Sequence, residues 1–365
     1  MAGPDRQHAW LPSCSWRSRD IYFGKQGMAL VLTLACISFL IALTLQLMAT
    51  VDRHWNAALA QQEQVRLDAL VLGGLHFARA ALLLDQQANT YDSLFDSWNT
   101  FEPSKLQALL AEEGKGIQVQ LVVADMGGRL QVNALGQGAF GPGLMVGAGD
   151  ADRLAAAAQE RYRGVWRRFL ASGRFAIGQE EIEPLLDALA DWVDKDQQVR
   201  PLGAEHGYYQ LQESPYNPRN APIRFVEELL LVRGMSKELL YGDAEHEGIL
   251  PYITVAGNDA AVNINTAPLP VLLALLPGMS EENGRDILAF RSARDNREAL
   301  ATPTWFHQVR GLPADLGADL PLLTVQSRYF AIQVRAERDQ YQRMGTGLLE
   351  RRDNGGQNLL LWKIQ

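Results

Sequence analysis

Residues 24–49 read GKQGMALVLTLACISFLIALTLQLMA. From Met28 to Ala49 the run carries no charge. As an α-helix it extends about 33 Å at roughly 1.5 Å per residue, enough for the hydrocarbon core of a bilayer. Before it stand Arg6, Arg17, Arg19 and Lys25 against Asp5 and Asp20; after it come Asp52, Arg53 and His54, then a long chain. This bias places the N-terminus in the cytoplasm and the bulk of the chain across the membrane. A buried globular helix is one alternative, although such helices rarely run six turns without a charge. A Sec signal peptide is another, but it has a shorter apolar core and small residues at its cleavage site. The nearest A-x-A is Ala58-Leu59-Ala60, well beyond the run. A plain membrane anchor fits these residues equally.

Outward from the run, the basic leader and the Gly24-Lys25-Gln26-Gly27 step resemble a type IV prepilin signal. In that class the peptidase cuts on the cytoplasmic side after the Gly, and the apolar helix is kept. Cleavage after Gly27 makes Met28 the new N-terminus and removes Cys14 with the leader. The fifth mature position, usually Glu in pilins, is then Leu32.

The 365 residues are 47% hydrophobic and 21% charged, a globular composition that excludes collagen-like and wholly disordered chains. The net charge of -8 disfavours non-specific tracking of nucleic-acid phosphates, which needs a basic surface. Two cysteines, Cys14 and Cys36, cannot build a disulfide framework or a Cys-rich zinc site.

From Val51 to about Asp85 the pattern stays helical. Leu59, Val65, Leu67, Leu70, Leu72 and Leu75 recur among Gln, Glu, Arg and Ala of good helix propensity. A polar stretch, Ala88 to Lys105, follows. Ile117 to Val123 alternates as a strand, Asp125-Met126-Gly127-Gly128 is a turn, and Arg129 to Leu135 is expected to return as the second strand of a hairpin. Gly136 to Gly149 reads as a loop and Ala151 to Phe306 as helical. Tyr329 to Arg335, Gln342 to Glu350 and Leu359 to Ile364 read as strands, with a turn at Asp353-Asn354-Gly355-Gly356. A β-meander thus returns after a helical interruption.

The central region contains an ordered series: LLDALADWVDKD (185–196), Gly203-Ala204-Glu205, Tyr208-Tyr209, Pro215-Tyr216, Asn220-Ala221-Pro222, ELLLVRGM (228–235) and VNINTA (262–267). With Asp92-Ser93-Leu94 to Trp98, the Asp125 to Asn133 segment and the missing Glu at Leu32, it resembles the type II secretion system minor pseudopilin K family (general secretion pathway protein K). The resemblance covers nearly the whole mature chain and rests on order and spacing together.

It implies an α+β fold: a long N-terminal transmembrane helix as pilin spine, a small antiparallel-sheet pilin domain, and a large inserted all-helical domain with helix-hairpin-helix-like (SAM-like) elements. The expected boundaries are leader 1–27, spine 28–85, pilin domain 86–150 and 311–365, and insert 151–310. The resemblance also implies a non-enzymatic subunit at the tip of a short periplasmic pseudopilus. The expected partners are the minor pseudopilins I and J, the inner-membrane secretion platform and the prepilin peptidase, with no nucleic acid. The expected location is the bacterial inner membrane, crossed once. A tip subunit recruits no further subunit through a buried Glu, so Leu32 avoids an unpaired buried carboxylate; drift in a simple anchor would also leave Leu there.

Some members of the family bind calcium. Asp191, Asp194, Asp196 and Glu205 are the candidate metal ligands, carboxylates at a helix end followed by the turn-formers Pro201 and Gly203. The spacing is not that of an EF-hand, and a solvated acidic surface fits the same residues. Asp187, one helical turn before Asp191, is a candidate for a supporting role.

Val262 to Ala267, Leu272 to Leu276, Pro277-Gly278-Met279 and Ile287 to Arg291 resemble a helix-hairpin-helix. DNA-binding versions approach phosphate through glycine-rich backbone with basic residues nearby. Here Ser280-Glu281-Glu282 follows, so packing or protein contact is expected. A membrane-anchored DNA-binding protein of the competence kind is the alternative. G-x-S-x-G, H-E-x-x-H and P-loop motifs are absent, and no enzyme is expected.

Overall fold

The structure, a computed structural model, describes residues 25–101, 116–136, 151–313, 316–352 and 355–365. The leader through Gly24, the end of the polar stretch, most of the glycine-rich loop and Asp353-Asn354 lie outside the described residues. The described chain divides into two units, residues up to Gln62 and residues from Glu63 onward. One helix, α1 (Lys25–Ala88), supplies all that is described of the first. The exposed side chains from Met28 to Ala49 are uncharged and, Gln46 apart, apolar or small, and α1 is long and apolar enough to cross a membrane. Nothing in the run requires a protein partner: with no charge to satisfy, lipid is a sufficient solvent for it.

In the second unit the rest of α1 lies on a four-stranded antiparallel sheet. The order is β1 (Ile117–Asp125), β6 (Tyr329–Arg338), β7 (Tyr341–Arg351), β8 (Gln357–Ile364). Leu67, Val71, Leu75, Ala78 and Leu82 recur at helical spacing and are buried against Val119, Val123, Phe330, Ile332, Val334 and Leu349. The approach is close because two glycines permit it. A Cβ on Gly74 would meet Val334 Cγ1 at 2.5 Å, and one on Gly345 of β7 would meet Val71 Cγ1 at 2.4 Å. The β6–β7 hairpin turns through Asp339 at φ 51°, a left-handed position that Asp tolerates.

The expected β1 hairpin is not formed. β1 pairs instead with β6, from Ile117↔Arg338 to Asp125↔Phe330. After the turn, β2 (Leu130–Gln131) pairs in parallel with β3 (Ile253–Thr254), and Val132–Leu135 forms a single 3-10 turn. Leu130, Val132, Ala134 and Leu135 are all buried, so this segment has no solvent face to alternate with. Its apolar residues belong to a second core. That core runs from Leu130 to Val325 in the sequence, past both expected boundaries of the insert at 151 and 310.

Helices dominate the insert, joined by two short parallel strand pairs, β2–β3 and β4 (Val262–Asn263) with β5 (Leu323–Thr324). Those pairs depart from the all-helical expectation. They are too short to carry a period-2 signal of their own. The helix α2 (Ala151–Leu170) buries Tyr162, Val165, Trp166, Phe169 and Leu170 as one stripe against α3 (Gln179–Val193). Two short helices, α4 (His206–Tyr209) and α5 (Lys237–Tyr241), follow. The expected helix-hairpin-helix is α6 (Leu269–Leu275) and α7 (Glu281–Ser292), with Gly278 at φ 91° in the turn and Ser280 capping α7 by accepting from Asn283 N.

Candidate metal centre

Helix α3 starts well and ends badly for its own electrostatics. Glu180 and Glu181 sit in its first turn, where the helix dipole favours negative charge. Asp187, Asp191 and Asp194 lie on its last two turns and its C-cap, where the dipole opposes them, and all three are buried. Carboxylates in such a place need compensating positive charge.

Asp187 is satisfied by the fold: its Oδ1 accepts from Arg163 of α2 at 2.8 Å and its Oδ2 from Leu202 N at 3.1 Å. The other two face Arg200. Its Nη1 donates to Asp191 Oδ1 at 2.6 Å and to Asp194 Oδ2 at 2.5 Å, while its backbone N donates to Asp191 Oδ2 at 3.2 Å. The loop wraps so tightly that a Cβ on Gly203 would sit 2.0 Å from Asp191 Oδ2. Glu205 precedes α4, and its Oε2 accepts from Asn220 Nδ2 at 3.4 Å. The same amide group donates to the Asp196 carbonyl at 2.5 Å. Asn220 holds this position at φ 45°, where Asn is one of the few tolerated side chains.

Three oxygens in this cluster are buried without a hydrogen-bond partner among the described residues: Asp194 Oδ1, Glu205 Oε1 and Asn220 Oδ1. Asp194 is 5% exposed and Glu205 3%. Burial pushes the Glu205 carboxyl up to about 7, and the Asp191 and Asp194 charges add to the effect. Burial raises Asp194 as well, against the pull of Arg200. Orphaned carboxylate and amide oxygens, with no thiolate or imidazole among the groups that form the cluster, are the donor set of a hard divalent cation. The residues therefore fit such an ion. Of the four expected ligands, Asp191 and Asp194 meet at Arg200, and Glu205 joins the loop through Asn220; among the described residues the three carboxylates do not form a group within 4.8 Å of one another. The Asp196 carboxylate is exposed and accepts from Gln198 N at 2.8 Å, so this residue offers the cluster its carbonyl side instead. Arg200 and Asn220 were not among the expected site residues. Asn220 stood in a quoted motif, but its left-handed conformation has no signature in sequence beyond being Asn.

A second acidic group was not foreseen. Carboxylate oxygens of Asp85, at the end of α1, and of Asp92 and Asp96 lie within 4.8 Å of one another. Arg297 pairs with Asp96 at 3.6 Å, and Arg351 of β7 answers Asp85 and Asp92. Its Nη2 donates to Asp92 Oδ2 and, at 2.9 Å, to Ser327 O; its Nη1 lies 3.5 Å from Asp85 Oδ2. Asn263 and Asn265 of the insert both donate to Asp92 O, at 3.2 and 3.1 Å. This knot fastens the insert to the helix and the sheet.

Burial, then the charges of Asp96 and Asp92, push Asp85 up to about 6. The native chain thus holds a proton that the unfolded chain, with Asp near 3.8, has released. Stability from this group is full below pH 3.8 and is lost as pH rises through 6. Asp85→Asn is expected to remove on the order of 2–3 kcal/mol from that pH dependence. Denaturant melts at pH 4.5 and 7 compare the two chains; an equal slope in both would show that Asp85 does not carry it.

The expected processing residues lie on α1, where Met28 and Leu32 are exposed and Gly27 is within the helix. Glu281 and Glu282 at the start of α7 are exposed, and Glu281 pairs with Arg174 and Arg285.

Two family models described as "Type II secretion system (T2SS), protein K" match residues 128–257 and 262–314. The type II secretion system protein K of Klebsiella pneumoniae is 28% identical over 281 residues, 72% of this chain and 81% of that one. That of Pseudomonas aeruginosa is 34% identical over 120 residues, spanning 32% of this chain and 33% of the relative. That of Aeromonas hydrophila is 31% identical over 179 residues, 45% of this chain and 50% of its own. Among solved structures, the GspK-GspI-GspJ complex of the enterotoxigenic Escherichia coli type 2 secretion system contains a similar fold. The TM-score is 0.59 at 17% identity, over 84% of this chain and 98% of that one.

Proposed function

This chain belongs to the type II secretion system protein K family, and from that premise we propose that it is the minor pseudopilin at the tip of the pseudopilus, acting in protein export across the outer membrane. The family is a structural component of the secretion machine rather than an enzyme. The observation that carries the tip role is the insert. It interrupts a pilin-like helix and sheet between β1 and β6, and its core is larger than the one it interrupts. A filament packs its subunits by their helices, with little room beside each. A mass of this size is accommodated where nothing stacks above it.

In this reading α1 anchors the chain in the inner membrane with its N-terminus in the cytoplasm, and the insert caps the filament in the periplasm. A prepilin peptidase cuts between Gly27 and Met28. Leu32 leaves no carboxylate to recruit a further subunit. The complex with GspI and GspJ is known for the Escherichia coli protein, and this chain is proposed to bind its own minor pseudopilins I and J alongside α1. Calcium is the proposed ion for Asp191, Asp194, Glu205 and Asn220. When bound it supplies positive charge at the C-terminal end of α3 and ties the 194–220 loop to that helix.

Co-expression of this chain with its I and J pseudopilins, followed by size exclusion with light scattering in detergent, tests the role. A one-to-one-to-one complex is expected, with this chain starting at Met28 on N-terminal sequencing. Separate elution at micromolar concentration, or a start beyond residue 50, would sink it.

A further inference from the structure

We propose that Arg200 is a built-in counter-cation of the metal site, standing in for the ion when it is absent and opposing it when it arrives. The inference rests on the calcium reading above. One nitrogen of Arg200, Nη1, bridges carboxylates from successive turns of α3, Asp191 Oδ1 at 2.6 Å and Asp194 Oδ2 at 2.5 Å. The remaining oxygen of Asp194, Glu205 Oε1 and Asn220 Oδ1 are the oxygens of this cluster that the described residues leave without a partner. An ion held by those oxygens shares the Asp194 carboxylate with the guanidinium. The two positive groups then sit one carboxylate apart in a buried place, where repulsion is poorly screened. Metal and guanidinium are therefore antagonists at Asp194.

The side chain has room to leave. Arg200 is 31% exposed at its side chain, whereas Asp191 and Asp194 are 0% and 7%. Its backbone does not need to move. The Arg200 N–H stays on Asp191 Oδ2, Gly203 N on Arg200 O at 3.0 Å, and Arg233 Nη1 on Gly203 O at 2.9 Å. Only the guanidinium exchanges, between two carboxylates and water. A fully neutralising cation would leave no free acceptor. Arg200 supplies one charge to the Asp191 and Asp194 carboxylates, and three acceptors of the cluster remain without a partner among the described residues. This arrangement keeps the metal-free chain folded, while lowering the affinity so that the site responds to the calcium level instead of holding the ion permanently.

Calcium titration calorimetry of the detergent-solubilised full chain, with melting curves in chelator and in millimolar calcium, tests this on the native sequence, Arg200→Gln and Arg200→Lys. Arg200→Gln is expected to bind calcium about tenfold more tightly, ~1.4 kcal/mol, and to melt lower in chelator, so that calcium raises its melting point by more. Arg200→Lys keeps a charge without the planar fork and should fall between. If Arg200→Gln does not fold even in calcium, the affinity of Arg200→Lys decides: no tighter than native overturns the proposal. Native affinity in Arg200→Gln would make Arg200 a bystander; weaker binding would make it a support of the site. Both overturn the proposal while leaving the calcium reading intact. No calcium binding by any of the three chains would overturn the calcium reading, and this inference with it.

Discussion

Arg351→Met is expected to cost the fold about 3–5 kcal/mol, the cost of breaking a buried ion pair by removing one partner. Arg351 and Asp92 have side chains 7% and 2% exposed. The substitution leaves Asp92 and Asp85 beside Asp96 without the cation those two share, and strips Ser327 O of a donor. Methionine keeps most of the apolar packing over Phe330, which lies 4.8 Å from the guanidinium. The loss is therefore electrostatic and hydrogen-bonding in origin. Adding Asp92→Asn should recover part of it, because one of the stranded charges goes with it. Denaturant unfolding followed by the fluorescence of the buried Trp98, Trp166, Trp192 and Trp305 measures both. A loss under 1 kcal/mol for Arg351→Met, on the order of a surface pair, would show that the knot is not what fastens the two cores.

Chelating calcium is the second large effect expected. A ligand at roughly a hundredfold excess over its Kd stabilises the folded chain by about 2.7 kcal/mol. At roughly 2–4 °C per kcal/mol for a domain of this class, the melting point should fall by about 5–10 °C in chelator. Asp194→Ala should close most of that gap, because Asp194 Oδ1 is one of the three orphaned oxygens. Asp196→Ala should keep it, because that carboxylate is exposed and serves its own turn through Gln198 N. An equal loss in both variants would mean that proximity to the loop matters and ligation does not. An unchanged melt in chelator would leave the cluster as an acidic end of α3 balanced by Arg200 alone.

Much of the candidate centre was legible because its carboxylates crowd one stretch of sequence. Asp191 and Asp194 fall on neighbouring turns of a helix whose apolar stripe is plain, and Glu205 follows a Pro and Gly loop. The Asp196 carboxylate lies in its own turn on Gln198 N, because the direction of a side chain just past a helix end is not set by helical spacing. Arg200 was passed over because a lone basic residue in a loop is usually solvated, and only the wrapping of the loop around Asp191 brings it inward. The VNINTA motif at 262–267 was legible as a family resemblance, but its work was not. Asn263 and Asn265 reach Asp92, some 170 positions earlier, and no local pattern encodes that span.

By itself the sequence determined what depends on short range. The charge-free run from Met28 to Ala49 is a helix fit for lipid whatever surrounds it, since every backbone group is satisfied within the helix. The alternation from Tyr329 to the C-terminus makes three strands, and Ser280 with Asn283 starts α7. The tertiary structure decided which edge each strand used. Ile117 to Asp125 had a turn and an apolar segment beside it and still took β6 as neighbour, some two hundred residues on. Leu130 to Leu135 is buried on every side, its Gln131 and Asn133 hydrogen-bonded inside, and gains more from burial in the insert's core than from a half-solvated hairpin. The same competition extended the insert beyond its helices and knotted Asp85 and Asp92 onto Arg351. Hydrogen-bonding and charge are pairwise and blind to sequence distance, so only the folded chain settles their partners.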